Sequence, residues 1–280
     1  MVYGMTIQLR QFATGSLGES RDWLRKQWLL LVVIALPLAA ISCRKEVEAS
    51  AELGPARAAA VVISEVDALY AGRENLLKVR QGLLVLRQAQ AIEAGNYDLA
   101  WRLAKFNYYL GSHSADTSER EKAFREGIEA GNLAVKLQGG KVEGHFWLGA
   151  NYGGSAELSV LSGFADIDDI KKEMEAVLKI DEAYSAGSAY MVLGQVYLQA
   201  PRLLGGDTQK AIEYFQKGIR VAPNNALVRW HLAQAYADAN RKEDARKEIE
   251  ALWVLKPEAG YEPEYKEAVR NTKELAEKLK

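Results

Sequence analysis

The chain has little of what most catalytic or disulfide-held proteins need. It contains one cysteine, Cys43, so an intrachain disulfide is excluded. Its only histidines are His113, His145 and His231, and none has a second His or Cys at metal-ligand spacing. No Gly-x-Ser-x-Gly elbow is present. Gly205-Gly206-Asp207-Thr208 lacks the Gly-Lys-Ser/Thr ending of a phosphate loop and follows no strand pattern. Asp166, Asp168 and Asp169 lack the glycine and distal glutamate of a calcium loop, and read instead as charges complementing a helix N-terminus over residues 170–180. The net charge of -1 provides no bulk attraction to nucleic acid. No apolar run reaches the roughly 20 residues of a bilayer span. With 49% hydrophobic residues and 6 prolines, the chain is too apolar for a disordered protein. The expectation is a non-enzyme with no catalytic residues, no metal and no cofactor.

What the N-terminus does carry is an export pattern. Arg25 and Lys26 precede an apolar run over residues 28–41, interrupted by Pro37. Its length and flanking charge fit the apolar region of a secretory signal better than a permanent anchor. The run ends Ala40-Ile41-Ser42-Cys43, which resembles a bacterial lipobox. That resemblance implies lipidation of Cys43 and anchoring by the buried CH2 groups of its acyl chains, ~0.8 kcal/mol each. Arg44 after the cysteine, by resemblance to Gram-negative lipoproteins, implies an outer-membrane protein facing the periplasm.

After Pro55 the apolar residues recur at three and four, the period of helices, and no strand alternation is found. Val62, Val66 and Leu69 share one helical face; Leu76, Leu77, Leu83, Leu84, Ala91 and Ile92 fit a second helix. Ala100 and Ala104 mark a third helix that a neighbour can approach closely. A triad then repeats: Leu148, Gly149 and Tyr152; Leu193, Gly194 and Tyr197; Leu232, Ala233 and Tyr236. Ala211 to Ala245 and Pro223 to Pro257 are both 34 positions, the tetratricopeptide (TPR) period. Gly149 to Gly194 is 45 and Gly194 to Ala233 is 39, with the excess falling in segments 153–166 and 201–206. Loops lengthen cheaply, so the period survives within helices. The predicted fold is all-α: a TPR-like right-handed helical solenoid of stacked antiparallel helix pairs. Its parts are a lipoprotein signal peptide over 1–42, a lipidated tether over 43–55, the solenoid over 56–262 and a C-terminal capping helix over 263–280.

Three motifs stand out: Trp101-Arg102-Leu103-Ala104, Gly144-His145-Phe146-Trp147-Leu148-Gly149-Ala150-Asn151, and Ala200-Pro201-Arg202-Leu203-Leu204-Gly205-Gly206-Asp207 with Lys210-Ala211. Through them residues 97–257 resemble the T-component of TRAP transporters, a family of periplasmic TPR lipoproteins. The resemblance implies a solenoid that binds a protein partner, and a small apolar or carboxylated ligand as the alternative. The first reading is a membrane-anchored periplasmic scaffold for protein–protein interaction, with the partner on the concave face. The second is the small-molecule binding component of a TRAP-type transporter. Its candidate ligand residues are His145, Trp147, Asn151, Tyr152, Phe164 and Tyr190, grouped around the 153–166 insertion. Apolar pockets with few polar groups are the usual small-ligand sites. A homo-oligomer is left open. Arg202, Leu203 and Leu204 are expected to pack their loop onto the solenoid, Asp207 to cap the next helix, His113 to be exposed in a loop, and His231 to be partly exposed.

If Cys43 carries lipid, Cys43→Ala abolishes metabolic labelling by a fatty acid. Labelling that persists in the variant overturns the lipoprotein assignment.

Overall fold

The computed structural model describes residues 59–158, 166–257 and 259–280. Cys43 with its signal and tether, and Phe164 with the rest of 159–165, lie outside these residues. Among the described residues there are eleven α-helices and no strand. In chain order they are α1 (Ala59–Ala71), α2 (Leu76–Ile92), α3 (Tyr97–His113), α4 (Thr117–Gln138), α5 (Val142–Leu158) and α6 (Ile167–Ile180). Then come α7 (Tyr184–Gln199), α8 (Thr208–Val221), α9 (Ala226–Asp238), α10 (Lys242–Trp253) and α11 (Glu262–Lys278). A short 3-10 turn, Arg202–Leu204, links α7 to α8.

Side-chain caps set many of the helix starts. Asn75, Asn96, Asp116, Asp207 and Asn225 each accept a hydrogen bond from a backbone N–H of the first turn. These otherwise unpaired donors are what an Asn or Asp cap satisfies. Asp207 caps α8 as expected, whereas Asp166 makes no side-chain cap bond to α6. Asp168 and Asp169 lie in the first turn of α6, where their charges oppose the helix dipole.

Consecutive helices pack as hairpins, α1 on α2 through α9 on α10, and α11 caps the stack against α9 and α10. The odd-numbered helices also touch one another in series from α1 to α11. They form the inner layer, and the even-numbered helices form the outer one.

Close approach between helices rests on glycines set against phenylalanine rings. Gly194 of α7 lies under the fully buried ring of Phe215 from α8, and Gly82 of α2 lies under Phe106 from α3. A Cβ at either glycine would penetrate the ring. Of the repeat positions identified by spacing, Leu193, Ala211, Phe215, Leu232, Ala233, Ala245 and Ile249 are buried, whereas Tyr152 and Tyr197 are half-buried and Pro223 is exposed.

Three sequence expectations need correction. Segment 153–158 is not a loop but the end of α5, because Gly154 packs against Phe124 of α4 and so keeps the helix in register. Leu203 is 99% exposed and Leu204 is exposed too, so the 201–206 connection does not pack through its leucines. Backbone bonds close that turn instead, from Gly206 N–H to the Pro201 carbonyl at 3.0 Å and from Asp207 N–H to the Tyr197 carbonyl at 2.8 Å. His231 is buried and accepts from the Gln195 amide at 3.0 Å, and burial lowers its pKa to about 4. The second helix expected from Leu76 to Ile92 is present as α2, with Val79, Leu83 and Leu86 inward and Leu77, Leu84 and Ile92 exposed.

The stack also closes on itself. Arg73, between α1 and α2, is only 5% exposed. Its guanidinium donates to both carboxylate oxygens of Glu264 in α11, at 2.8 and 2.7 Å, and to the Gly260 carbonyl at 2.6 Å. It also lies 5.0 Å from the Tyr70 ring centroid and 5.8 Å from that of Tyr109. Beside this clasp the exposed pair Lys266–Glu74 spans the same seam at 2.9 Å.

Two pairs of substitutions test these contacts. Gly194→Ala destabilises by about 1–3 kcal/mol through overpacking, although alanine is the better helix former by ~1 kcal/mol. In a Phe215→Leu background the same change becomes neutral or stabilising, read from urea midpoints in a double-mutant cycle. Glu264→Gln leaves the Arg73 charge unpaired and lowers stability by about 2 kcal/mol, with faster amide exchange in α11. Lys266→Ala, at an exposed pair, costs less than about 1 kcal/mol.

Candidate functional site

Closure turns the inner face into the wall of one cavity of about 160 Å³. Every odd-numbered helix contributes to it: Tyr70 from α1, Tyr108 and Tyr109 from α3, and Phe146, Trp147 and Ala150 from α5. Met191 and Val192 come from α7, Leu227 from α9, and Glu264, Tyr265 and Glu267 from α11. The periodic placement that buries one stripe of each helix in the core leaves a second stripe facing inward, aromatic on α1, α3 and α5 and aliphatic on α7 and α9.

The aromatic wall is internally packed. Trp147 stands edge-on to Phe146, centroids 4.9 Å apart, and lies 5.8 Å from Tyr108. Its indole N–H is buried and leans toward the Tyr184 hydroxyl without a hydrogen bond of normal geometry. Burial pushes the Tyr108 hydroxyl up to about 12, and the carboxylates of Glu157, Glu267 and Glu264 add to the shift. His113, at the exposed end of α3, stacks on Tyr109 at 4.0 Å and holds its carbonyl at 2.9 Å.

Behind this wall stands Lys105. Its ammonium lies 3.9 Å from the Tyr70 ring centroid and 5.8 Å from the rings of Trp101 and Trp147. Desolvation lowers its pKa to about 8. The adjacent Arg102 is paired with Asp67 and Asp98.

One stretch of the wall is strained. Residues 185–187 open α7 in the left-handed region, with φ of 51° at Ser185, 53° at Ala186 and 69° at Gly187. For serine and alanine this conformation costs roughly 1–2 kcal/mol per residue. Two side chains hold it. Ser188 Oγ donates to the Ser185 carbonyl at 2.5 Å, and the Asn225 amide donates to the Ala186 carbonyl at 2.7 Å while its oxygen caps α9. Ser185, Ala186 and Ser188 all line the cavity. Strained backbone of this kind gathers at ligand clamps and switch regions.

Of the six residues proposed from sequence, the structure puts Trp147 in the cavity wall. His145 turns outward, with Nδ1 at 2.5 Å from the buried Glu173 carboxylate and Nε2 at 2.9 Å from the Gly139 carbonyl, so it joins α5 to α6 and to the α4–α5 turn. Asn151 is fully buried, donating to the Ala104 and Trp147 carbonyls at 3.0 and 2.6 Å. Tyr152 is half-buried against the α5–α7 core, and Tyr190 donates to Glu182 at 2.7 Å. Phe164 lies outside the described residues. Sequence reasoning missed Tyr70, Tyr108, Tyr109 and the α11 carboxylates. The adjacent tyrosines of α3 were the one available signal, because a helical Tyr-Tyr pair places one ring off the core stripe.

The comparisons agree with this architecture. Among solved structures, the fold is shared by the thermophilic TPR protein TTC0263 of Thermus thermophilus. That match has 16% identity and a TM-score of 0.54, and covers 74% of this chain and 99% of that one. PilF of Pseudomonas aeruginosa matches at 15% identity and a TM-score of 0.51, covering 80% of this chain and 94% of its own. At such identities the likeness concerns the fold alone. No curated protein matches the chain. The family model of the TRAP transporter T-component matches residues 102–280, which takes in α4 to α11 and most of α3. The chain therefore belongs to the TRAP transporter T-component family.

Proposed function

We propose that this protein is a non-catalytic envelope component, lipid-anchored through Cys43 and facing the periplasm from the outer membrane. In this reading it holds a small, largely apolar organic ligand in its inner cavity on behalf of a TRAP-type transporter. The observation that carries the reading is the inner cavity, to which all six inner helices contribute. An α-helix with side chains is about 10–12 Å across, and a cavity of about 160 Å³ has no room for one. The small volume of the cavity thus favours a small molecule over a partner helix on the inner face. Family membership supports the link to transport. The lipobox-like Ala40-Ile41-Ser42-Cys43 with Arg44 supports the anchor and its location. No helix among the described residues is long and apolar enough to cross a membrane.

The scaffold reading is favoured by a separate observation. Leu203 and Leu204 project from the α7–α8 turn into solvent, an apolar knob available to a protein partner on the outside of the stack.

Native mass spectrometry of the purified protein decides between the two. A retained small molecule is expected, and Ala150→Leu, which fills part of the cavity without touching the clasp, should lower its occupancy. A protein that retains nothing but co-purifies with transporter subunits would sink the ligand reading in favour of the scaffold.

A further inference from the structure

Among the described residues, the cavity walls carry two carboxylates, Glu264 and Glu267, and no lysine or arginine. Glu264 is neutralised by the two-pronged contact with Arg73. Glu267, one turn further along α11, is half-buried and makes no hydrogen bond or salt bridge among the described residues. Its charge acts on Tyr108 across the cavity, together with that of Glu157. Of the cations nearby among the described residues, Arg73 is held by Glu264 and Gly260, Arg120 donates to the Gly111 carbonyl and acts on Glu157, and Lys105 lies on Tyr70 outside the lining. Seven of the other lining residues are Tyr, Phe or Trp, and ring faces carry the negative lobe of the quadrupole that attracts cations.

We infer that the cavity takes an organic cation, a trimethylammonium-type or protonated amine head carried on a compact apolar body. Its charge would sit between Glu267 and the rings of Tyr108 and Trp147, and its body against Met191, Val192 and Leu227. The inference rests on the ligand-holding reading above and adds the charge of the ligand. It runs opposite to the carboxylated ligand suggested by sequence, which would have to draw Lys105 off Tyr70 and place a second negative charge beside Glu267. Dry aromatic sites with an adjacent carboxylate discriminate a cation from its neutral isostere by cation–π attraction and charge pairing together.

The test uses three probes of similar size on the purified full chain by titration calorimetry: phenyltrimethylammonium, its uncharged carbon isostere tert-butylbenzene, and the anion benzenesulfonate. Phenyltrimethylammonium should bind about tenfold tighter than tert-butylbenzene. Glu267→Gln should remove most of that preference and leave tert-butylbenzene unchanged. Equal affinity of the cation and the neutral probe, or a preference indifferent to Glu267→Gln, overturns the inference while leaving the ligand-holding cavity intact. Tighter binding of benzenesulfonate, weakened by Lys105→Met, overturns it in favour of an anion. If none of the three binds, both the inference and the ligand-holding reading fail.

Discussion

A guanidinium at 5% exposure cannot be left unpaired, and the way Arg73 is paired decides what the inner face becomes. Its partners come from opposite ends of the helical stack: Tyr70 and Tyr109 near the start, Glu264 and the Gly260 carbonyl near the end. Stacked helix pairs ordinarily present an extended concave groove. Here the terminal helix is drawn back to the first hairpin, and the groove becomes a chamber. The seam itself is polar and thin, since no helix–helix packing joins α11 to α1 or α2. The chamber therefore depends on a few charge-assisted hydrogen bonds, while the helix pairs depend on apolar packing that would persist without them.

That packing was the part most legible in the sequence. The 34-residue spacing works because small residues at fixed positions must meet large ones on the next helix, as Gly194 meets Phe215. The sequence also announced the cap at Asp207, which stands immediately before a helical period; the equivalent cap at Asn225 emerged only in the structure. Loop behaviour was less legible. Leu203 is apolar and sits among family-marking residues, yet it faces solvent because backbone bonds already close its turn. Gly153 and Gly154 looked like a break, yet a helix passes through them because Phe124 needs the space that Gly154 leaves. Glycine in sequence signals either freedom or close approach, and only a neighbour tells which.

The candidate site was legible in one residue, Trp147, for a physical reason. A repeat pattern reports contacts between neighbouring helices, whereas the chamber is made by residues far apart in sequence, such as Tyr70 and Glu264. No periodicity encodes that meeting. The left-handed run over residues 185–187 was equally hidden, because it depends on Asn225 gripping the Ala186 carbonyl from another helix. His145, the most chemically suggestive residue in the sequence, is a structural link between α5, α6 and the preceding turn.

Membership of the TRAP transporter T-component family gives this chamber a setting, and its aromatic walls and uncompensated Glu267 give it a chemistry. All of it presupposes that the ends of the stack meet. The most direct measurement is electron–electron spin resonance between labels at two exposed positions flanking the seam, Leu77 in α2 and Arg270 in α11, in a chain whose Cys43 is replaced by serine. A closed chamber predicts a single narrow distribution at short separation. A broad distribution at longer separations would show an open solenoid and contradict the account.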